Sequence, residues 1–429
     1  MRVLWLTNLL MPDLAVALNK SPSPRGGWMP ALAEALIESS HIKLAVATVV
    51  KERNHSKEIL NNIRYYVLPK PKGTLDGKRI PLSLIKEYQH VVNDFRPDVI
   101  HIHGTEYFQG LLTGRDFLKC PTVISIQGII DASERHYLGG IPINKLLTTR
   151  TLRDWIRFDG LIEQKFKWAR RAKWEREIFA SNPAFIGRTL WDRAQTRRLN
   201  PVARYHHCDE LLRQPFYDVQ WNINKISRHT IFASGANYPL KGFHVLVKAA
   251  SLLRIEFPDI TIRTPLATFY PGLFGIKRVW RNQRSMGYAR YLTDLIRNAG
   301  MTEHFVSLPS LDADGMANQL LSAHVFVLPS MIENSPNSLG ESMLVGTPSV
   351  ASFVGGIPSM AQDGESVLLF PSGDEVVLAE QIRRIFLDDE LACRLSAKSV
   401  DVARARHSRN KIVNDMLEIY ERESMLQAC

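Results

Sequence analysis

Two glutamates, Glu333 and Glu341, stand eight positions apart in the stretch IENSPNSLGESMLVG at 332–346, a short polar run between apolar segments. Ionised carboxylates accept paired hydrogen bonds from neighbouring hydroxyls, the chemistry that grips a sugar or a ribose. The residues between them suit the start of a helix. Ser335 reads as an N-cap and Pro336 as the first helical residue, which predicts a helix from Pro336 to about Val345. Amides left unpaired at such an end attract phosphate through their donors and the helix dipole together. Glu333 then lies in the loop ahead of the helix. Glu341 lies on its flank, one turn beyond Asn337 and away from Leu339 and Met343. The structural alternative is that both glutamates merely complement the helix dipole.

Other chemistry-bearing residues fall in separate stretches. VIHIHGTEYF at 99–108 puts His101, His103 and Glu106 at the end of a strand, with His101 structural and the other two open to a substrate. Three such residues raise the idea of a metal, but no fourth ligand stands at a recognisable spacing, and no metal is expected. Asp312-Ala313-Asp314 precedes a helical run and reads as a helix cap. The four cysteines, Cys120, Cys208, Cys393 and Cys429, show no C-x-x-C spacing, which suits a reducing cytoplasm. A net charge of +11 asks for an acidic partner: nucleic acid, an anionic membrane face or phosphate-bearing substrates. The densest basic stretch, LIEQKFKWARRAKWEREIF at 161–179, interleaves cations with Phe166, Trp168 and Trp174. It reads as a surface helix with snorkelling cations, or as one that lies on anionic lipid.

These residues need elements to hold them. At 429 residues the chain is long enough for two domains of about 200 residues each. Short apolar or β-branched runs alternate with helical periods almost from end to end, as in parallel sheets with crossover helices. The first half offers strands at Val3–Leu6, Leu44–Val50, Tyr65–Leu68, Val99–His103, Val123–Ile126 and Phe185–Gly187. The second offers Thr230–Ala233, Ile260–Arg263, Phe305–Leu308, Val325–Leu328, Ser349–Phe353 and Val367–Phe370, then helices to the C-terminus. The stretch at 214–229 has no clear period, so domains of 1–220 and 221–429 are expected, with the last helix packing back on the first. The start resembles a secretory signal only loosely, because Thr7, Asn8, Pro12 and Asp13 interrupt it. Ligands of open parallel sheets bind at strand C-terminal ends, and two such domains face each other across a cleft.

The string from Glu333 through Glu341 to LVGTPSVASFVGGIPSM resembles the donor site of the retaining glycosyltransferases of family 4, which have the GT-B fold, two facing Rossmann-like domains. That likeness implies sugar contact for Glu333, ribose contact for Glu341, and backbone contacts to phosphate from Asn337, Ser338 and Leu339. SPRGGW at 23–28 is similar to the family's glycine pair, which implies that Gly26 and Gly27 come close to the donor phosphate or the acceptor. SGANYPLKGF at 234–243 resembles the phosphate-binding loop, with Gly235 in it and Lys241 as the clamping lysine. Ala236 stands where the family has an arginine. Gln127 stands in SIQGII where the family usually has a histidine near the reacting centre. Arg188, after the strand that ends at Gly187, is expected to project into the cleft and supply the missing charge or bind an acidic acceptor. The alternative is an ion pair with Asp192 at i+4.

The resemblance implies a metal-independent enzyme that moves a sugar from a UDP or GDP sugar to a glycan or lipid-linked acceptor with retention, as in cell-surface polysaccharide synthesis. Glu333, Lys241 and Gln127 would be catalytic, Glu341, Arg188 and the glycines donor-binding, and His103 and Glu106 acceptor-side. No cofactor is expected beyond the donor itself. The expected partners are the nucleotide sugar, the saccharide acceptor and an anionic membrane face touched peripherally from the cytoplasm; nucleic acid is not among them. An epimerase of the same fold and a non-catalytic nucleotide-sugar-binding subunit are the competing readings.

Overall fold

A computed structural model describes residues 1–22, 26–39, 41–51, 55–71, 79–265 and 286–426. Cys429 and residues 23–25 of the SPRGGW stretch lie outside them. The chain forms two compact units, one of residues 1–132, 169–213 and 407–429, the other of residues 133–168 and 214–406. A single cut near 220 therefore does not describe the division. The boundary at 213/214 lies close to it, but residues 133–168 group with the second unit and the last helix with the first.

The first unit is built on eight strands among the described residues: β1 (Arg2–Thr7), β2 (Lys43–Val50), β3 (Ser56–Leu60), β4 (Ile63–Pro69), β5 (Val99–His103), β6 (Thr122–Ser125), β7 (Ala184–Gly187) and β8 (Arg204–His207). Their order is β3-β4-β2-β1-β5-β6-β7-β8, parallel throughout except for the β3–β4 hairpin. Alternate side chains of β1 enter different cores, Val3 and Trp5 one, Leu4 and Leu6 the other. Both faces of the sheet are covered, which is why its strands read as continuous apolar runs. Chain order reverses between β1 and β5, where one crossover leads to β2 and the next returns on the other side. The helix Arg409–Leu426 packs against β5 and the helix Trp28–Ser39. Its Tyr420 hydroxyl accepts from Trp5 Nε1 at 3.0 Å and bonds His101 Nδ1 at 2.7 Å. Its Glu423 receives Arg204 at 2.6 Å and His206 at 2.7 Å. Burial opposes ionisation of Glu423, but His206 and Arg204 overcome it and hold the carboxyl at about 2.

The second unit has six strands among the described residues: β9 (Thr230–Phe232), β10 (Thr261–Thr264), β11 (Phe305–Ser307), β12 (Val325–Leu328), β13 (Ser349–Ser352) and β14 (Leu368–Phe370). All pairs are parallel, in the order β11-β10-β9-β12-β13-β14. That is the doubly wound Rossmann order, and its switch point lies between β9 and β12.

Candidate functional site

In the second unit the loops that leave β9 and β12 emerge side by side at the switch point. The first carries Gly235, Ala236 and Lys241; the second carries Ser330 and Glu333 and leads into the helix Asn337–Val345. The amide of Met331 donates to the carbonyl of Leu240 at 2.8 Å, which ties the two loops by their backbones. Gly242, at φ +65°, makes this approach feasible, because a Cβ there would sit 1.7 Å from the carbonyl oxygen of Pro329. Gly355 does the same on the far side of the second loop, where a Cβ would lie 1.9 Å from the Glu333 carbonyl oxygen. The amide of Gly356 donates to that oxygen at 3.1 Å.

So fixed, Lys241 and Glu333 meet. Lys241 Nζ donates to Glu333 Oε1 at 2.6 Å, and the Ser330 hydroxyl donates to the same oxygen at 2.7 Å. Burial works against the ammonium, but the charge of Glu333, with a smaller contribution from Tyr238, holds Lys241 above its usual range. The side chains are 30% and 14% exposed, so the pair is partly open to solvent.

The helix Asn337–Val345 begins one residue later than the sequence predicts. Pro336 occupies the N-cap and no side chain caps the helix. Ser335 faces sideways, where its hydroxyl lies 3.5 Å from Met360 Sδ and from Arg406 Nη2. The amides of Leu339 and Gly340 return to the Pro336 carbonyl at 3.0 and 3.3 Å. Leu339 therefore has no amide to offer a ligand, and the donors at this end are those of Asn337 and Ser338. Both residues are half-buried, whereas everything from Leu339 to Val345, Glu341 included, is buried. Gly235 faces open space, with nothing within 4 Å of an added Cβ, and Ala236 is fully buried. Asp312 caps the helix Ala313–Ser322, with Oδ1 accepting from the amide of Gly315 at 2.8 Å.

In the first unit the remaining candidates gather at the C-terminal ends of β5 to β8. Arg188 does not project outward. Its guanidinium is buried, bonds the Ile126 carbonyl at 2.8 Å and forms an ion pair with Glu210. Nor does it pair with Asp192 through its side chain. Asp192 is committed to backbone amides, those of Arg188 at 2.9 Å and Thr189 at 3.2 Å, as the second half of a capping box with Thr189. Glu210 takes a second bond from Gln127 Nε2 at 2.7 Å, so Gln127 is held by the same carboxylate that neutralises Arg188. Gly27 lies against Arg213, whose Cδ would be 2.5 Å from an added Cβ, and the carbonyl of Gly26 accepts from Met29 N at 3.0 Å.

The histidines divide. His101 bonds Tyr420 and Ser125, each at 2.7 Å, and burial lowers it to about 3. His103 packs against Trp5, Trp28 and His101, at ring distances of 4.4, 5.1 and 3.9 Å. Both its ring nitrogens are buried without a hydrogen-bond partner among the described residues, so it cannot bond an acceptor in this conformation. Burial, and then His101, push it well below its ordinary range. Glu106 sits beside Gly104 and Gly128, and burial raises it.

One acid here escaped the sequence reading. Glu175, buried on the helix Leu161–Ser181, accepts the Thr105 hydroxyl and the Asp131 amide, each at 2.7 Å. Burial, with added repulsion from Glu106, raises it to about 7 despite those two bonds. The signal was present: Glu175 interrupts the helix's inward stripe of Ala172, Ile178 and Phe179. Among the described residues no group of His, Cys, Asp and Glu could hold a metal ion, and no helix is long and apolar enough to cross a membrane.

Comparison with known proteins fits this geometry. The sucrose-phosphate synthase of Thermosynechococcus elongatus superposes over 100% of both chains with a TM-score of 0.73 at 16% identity. Anabaena HepE, in its complex with UDP-glucose, superposes over 98% of this chain and 99% of its own with a TM-score of 0.66 at 14% identity. The fold is thus that of the GT-B glycosyltransferases. Residues 228–388 match the family described as Glycosyl transferases group 1. A D-inositol 3-phosphate glycosyltransferase of Arthrobacter sp. (strain FB24) is 34% identical over 160 residues, 37% of this chain and 34% of that protein. The matches to curated relatives span only about a third to two fifths of those proteins' length.

Proposed function

We propose that this chain transfers a sugar from a nucleotide diphosphate sugar to a glycan or lipid-linked acceptor, with retention at the anomeric carbon and without a metal, in the cytoplasm. One observation carries the reading: Lys241 and Glu333 are joined at the switch point of the second sheet, beside the open end of the helix Asn337–Val345, which carries Glu341. An ammonium has three donors, and Glu333 takes one. Lys241 together with the amides of Asn337 and Ser338 suits the leaving diphosphate, whose charge grows as the sugar departs. Glu333, whose Oε1 already accepts from both Lys241 and Ser330, suits a sugar clamp better than a proton acceptor. Glu341 suits the ribose hydroxyls.

In the first unit, Gln127 cannot titrate, and Glu210 fixes its amide. This fits a retaining step in which the leaving phosphate oxygen helps deprotonate the acceptor. Arg188 takes no part in donor binding on this reading; it positions Gln127 through Glu210. The solved relative HepE holds UDP-glucose, so UDP sugars are the first donors to try. Calorimetric titration with UDP and GDP tests the donor site. Glu341→Ala should weaken nucleotide diphosphate binding by about 2 kcal/mol, roughly 30-fold in Kd, since charge-assisted bonds are worth about 1.5–3 kcal/mol each. An unchanged affinity overturns the assignment. Incubation with donor alone separates an epimerase, which needs no acceptor, from a transferase.

A further inference from the structure

The helix Leu152–Arg157 is built inside out. Leu152, Trp155 and Ile156, which share one face by their spacing, are 76%, 55% and 71% exposed, and Phe158 just past the helix is also mostly exposed. Its charged residues turn inward, with Arg153 and Asp154 buried. A surface helix ordinarily has the reverse arrangement. The orientation is fixed at both ends. Thr151 and Asp154 form a capping box, Phe158 closes the helix in the left-handed region, and Arg153 pairs with Asp154 and Asp159 at 3.5 Å each. The preceding helix, Ile143–Thr148, exposes Ile143 and Leu147 one turn apart, and both helices pack on the helix Met286–Asn298 of the same unit. Apolar side chains displayed in this number mark an interaction surface.

Charge indicates what covers them. Across 142–158 the exposed charged side chains are Lys145 and Arg157, both cationic, and the acid of that stretch, Asp154, is fully buried. The Arg150 guanidinium lies 3.6 Å from the centre of the Trp155 ring. Leucine and isoleucine pointing outward, a tryptophan and a phenylalanine beside them, and flanking cations with no exposed carboxylate match the interface of an anionic bilayer. The basic helix Leu161–Ser181 does not present its tryptophans in this way: Trp174 packs into the core of the first unit, and Trp168 stacks on Tyr137 at 4.9 Å.

We infer that the face formed by Ile143–Thr148 and Leu152–Arg157 docks on an anionic phospholipid surface. The inference stands apart from the sugar-transfer reading, since none of its residues belongs to the donor site. Flotation of the full chain with vesicles tests it, using phosphatidylcholine alone and phosphatidylcholine with one third phosphatidylglycerol. Wild type should float with the anionic vesicles and bind neutral ones about tenfold more weakly. The triple variant Leu152→Ser, Trp155→Ser, Ile156→Ser should lose binding by about tenfold or more, while its melting temperature and its nucleotide affinity hold. Lys145→Glu with Arg157→Glu should remove the preference for anionic lipid. Wild type that fails to float, or a triple variant that floats as well as wild type, overturns the inference. So does a concentration-dependent dimer that the triple variant abolishes, which would assign the face to a second copy of the chain.

Discussion

Lys241, on the loop after β9, is kept protonated by Glu333 across the switch point, whereas His101, His103 and Glu175, beside β5 and β6, are buried where their neutral forms are favoured. The two sheets have related topologies and place their candidate residues at equivalent strand ends, yet the candidates at those ends differ in charge. The second unit keeps the Lys241–Glu333 pair partly exposed at its switch point, while Arg153 and Asp154 are paired and buried elsewhere in it. The first unit uses buried ion pairs, Arg188 with Glu210 and Glu423 with Arg204 and His206, as internal scaffolding, and at the ends of β5 and β6 it favours the neutral forms of His101, His103 and Glu175. On the proposed reading, a diphosphate suits the exposed pair of the second unit, and an uncharged hydroxyl-bearing acceptor suits the neutral strand ends of the first.

The largest effect expected is on the scaffold. Arg188→Ala leaves Glu210, only 11% exposed, without its cation and removes the bond to the Ile126 carbonyl, a loss of about 3 kcal/mol of stability for a broken, largely buried pair. Chemical denaturation measures it. A loss below about 1 kcal/mol would mean that Glu210 finds water or another partner, and the contrast between scaffold and working pair would collapse.

Lys241→Ala tests the other side. The pair is partly exposed, so its removal should cost only about 1 kcal/mol of stability, while turnover falls by about 100-fold or more for want of the charge opposite the leaving group. Steady-state transfer assays beside thermal melts separate the two quantities. A large drop in melting temperature with a proportionate drop in activity would make Lys241 a structural residue like Arg188.

How much of this could be read in advance follows from how local each signal is. The β12 loop and its helix were legible because their chemistry lies in one continuous stretch, Glu333 to Val345, and only the start shifted by a residue when Pro336, not Ser335, took the cap. Strands covered on both faces announce themselves as apolar runs; β8, whose four residues are Arg-Tyr-His-His at the sheet's edge, does not. Arg188 was misread because its partner Glu210 is 22 positions away and meets it only through the pairing of β7 with β8. The capping box of Thr189 and Asp192, a local signature, would have excluded the i+4 ion pair. The meeting of Lys241 with Glu333 spans 92 positions and depends on β9 and β12 being sheet neighbours.

The smallest effect is the sharpest probe of the contrast, because it depends on pH. Glu175 in the unfolded chain gives up its proton near the usual glutamate value, but in the fold it keeps it to about 7. Between those values the native state binds the extra proton, so stability falls as pH rises through this window and the full penalty is present above it. Lys241 contributes with the other sign: its raised value stabilises the fold at every pH below the ordinary lysine range, so it adds nothing to the slope here. Glu175→Gln mimics the protonated acid. Its oxygen can accept the Asp131 amide, and its amide can donate to the Thr105 hydroxyl, which in turn can donate to the Gly128 carbonyl at 3.1 Å. The variant should therefore be more stable than wild type at pH 8 by about 1–3 kcal/mol, with the gain gone near pH 4.5. Urea denaturation of both proteins at several pH values measures the difference. A gain that does not vary with pH, or a loss at pH 8, would show that Thr105 and the Asp131 amide suffice to hold a buried carboxylate ionised, and the strand ends of the first unit would then tolerate charge as the Lys241–Glu333 site does.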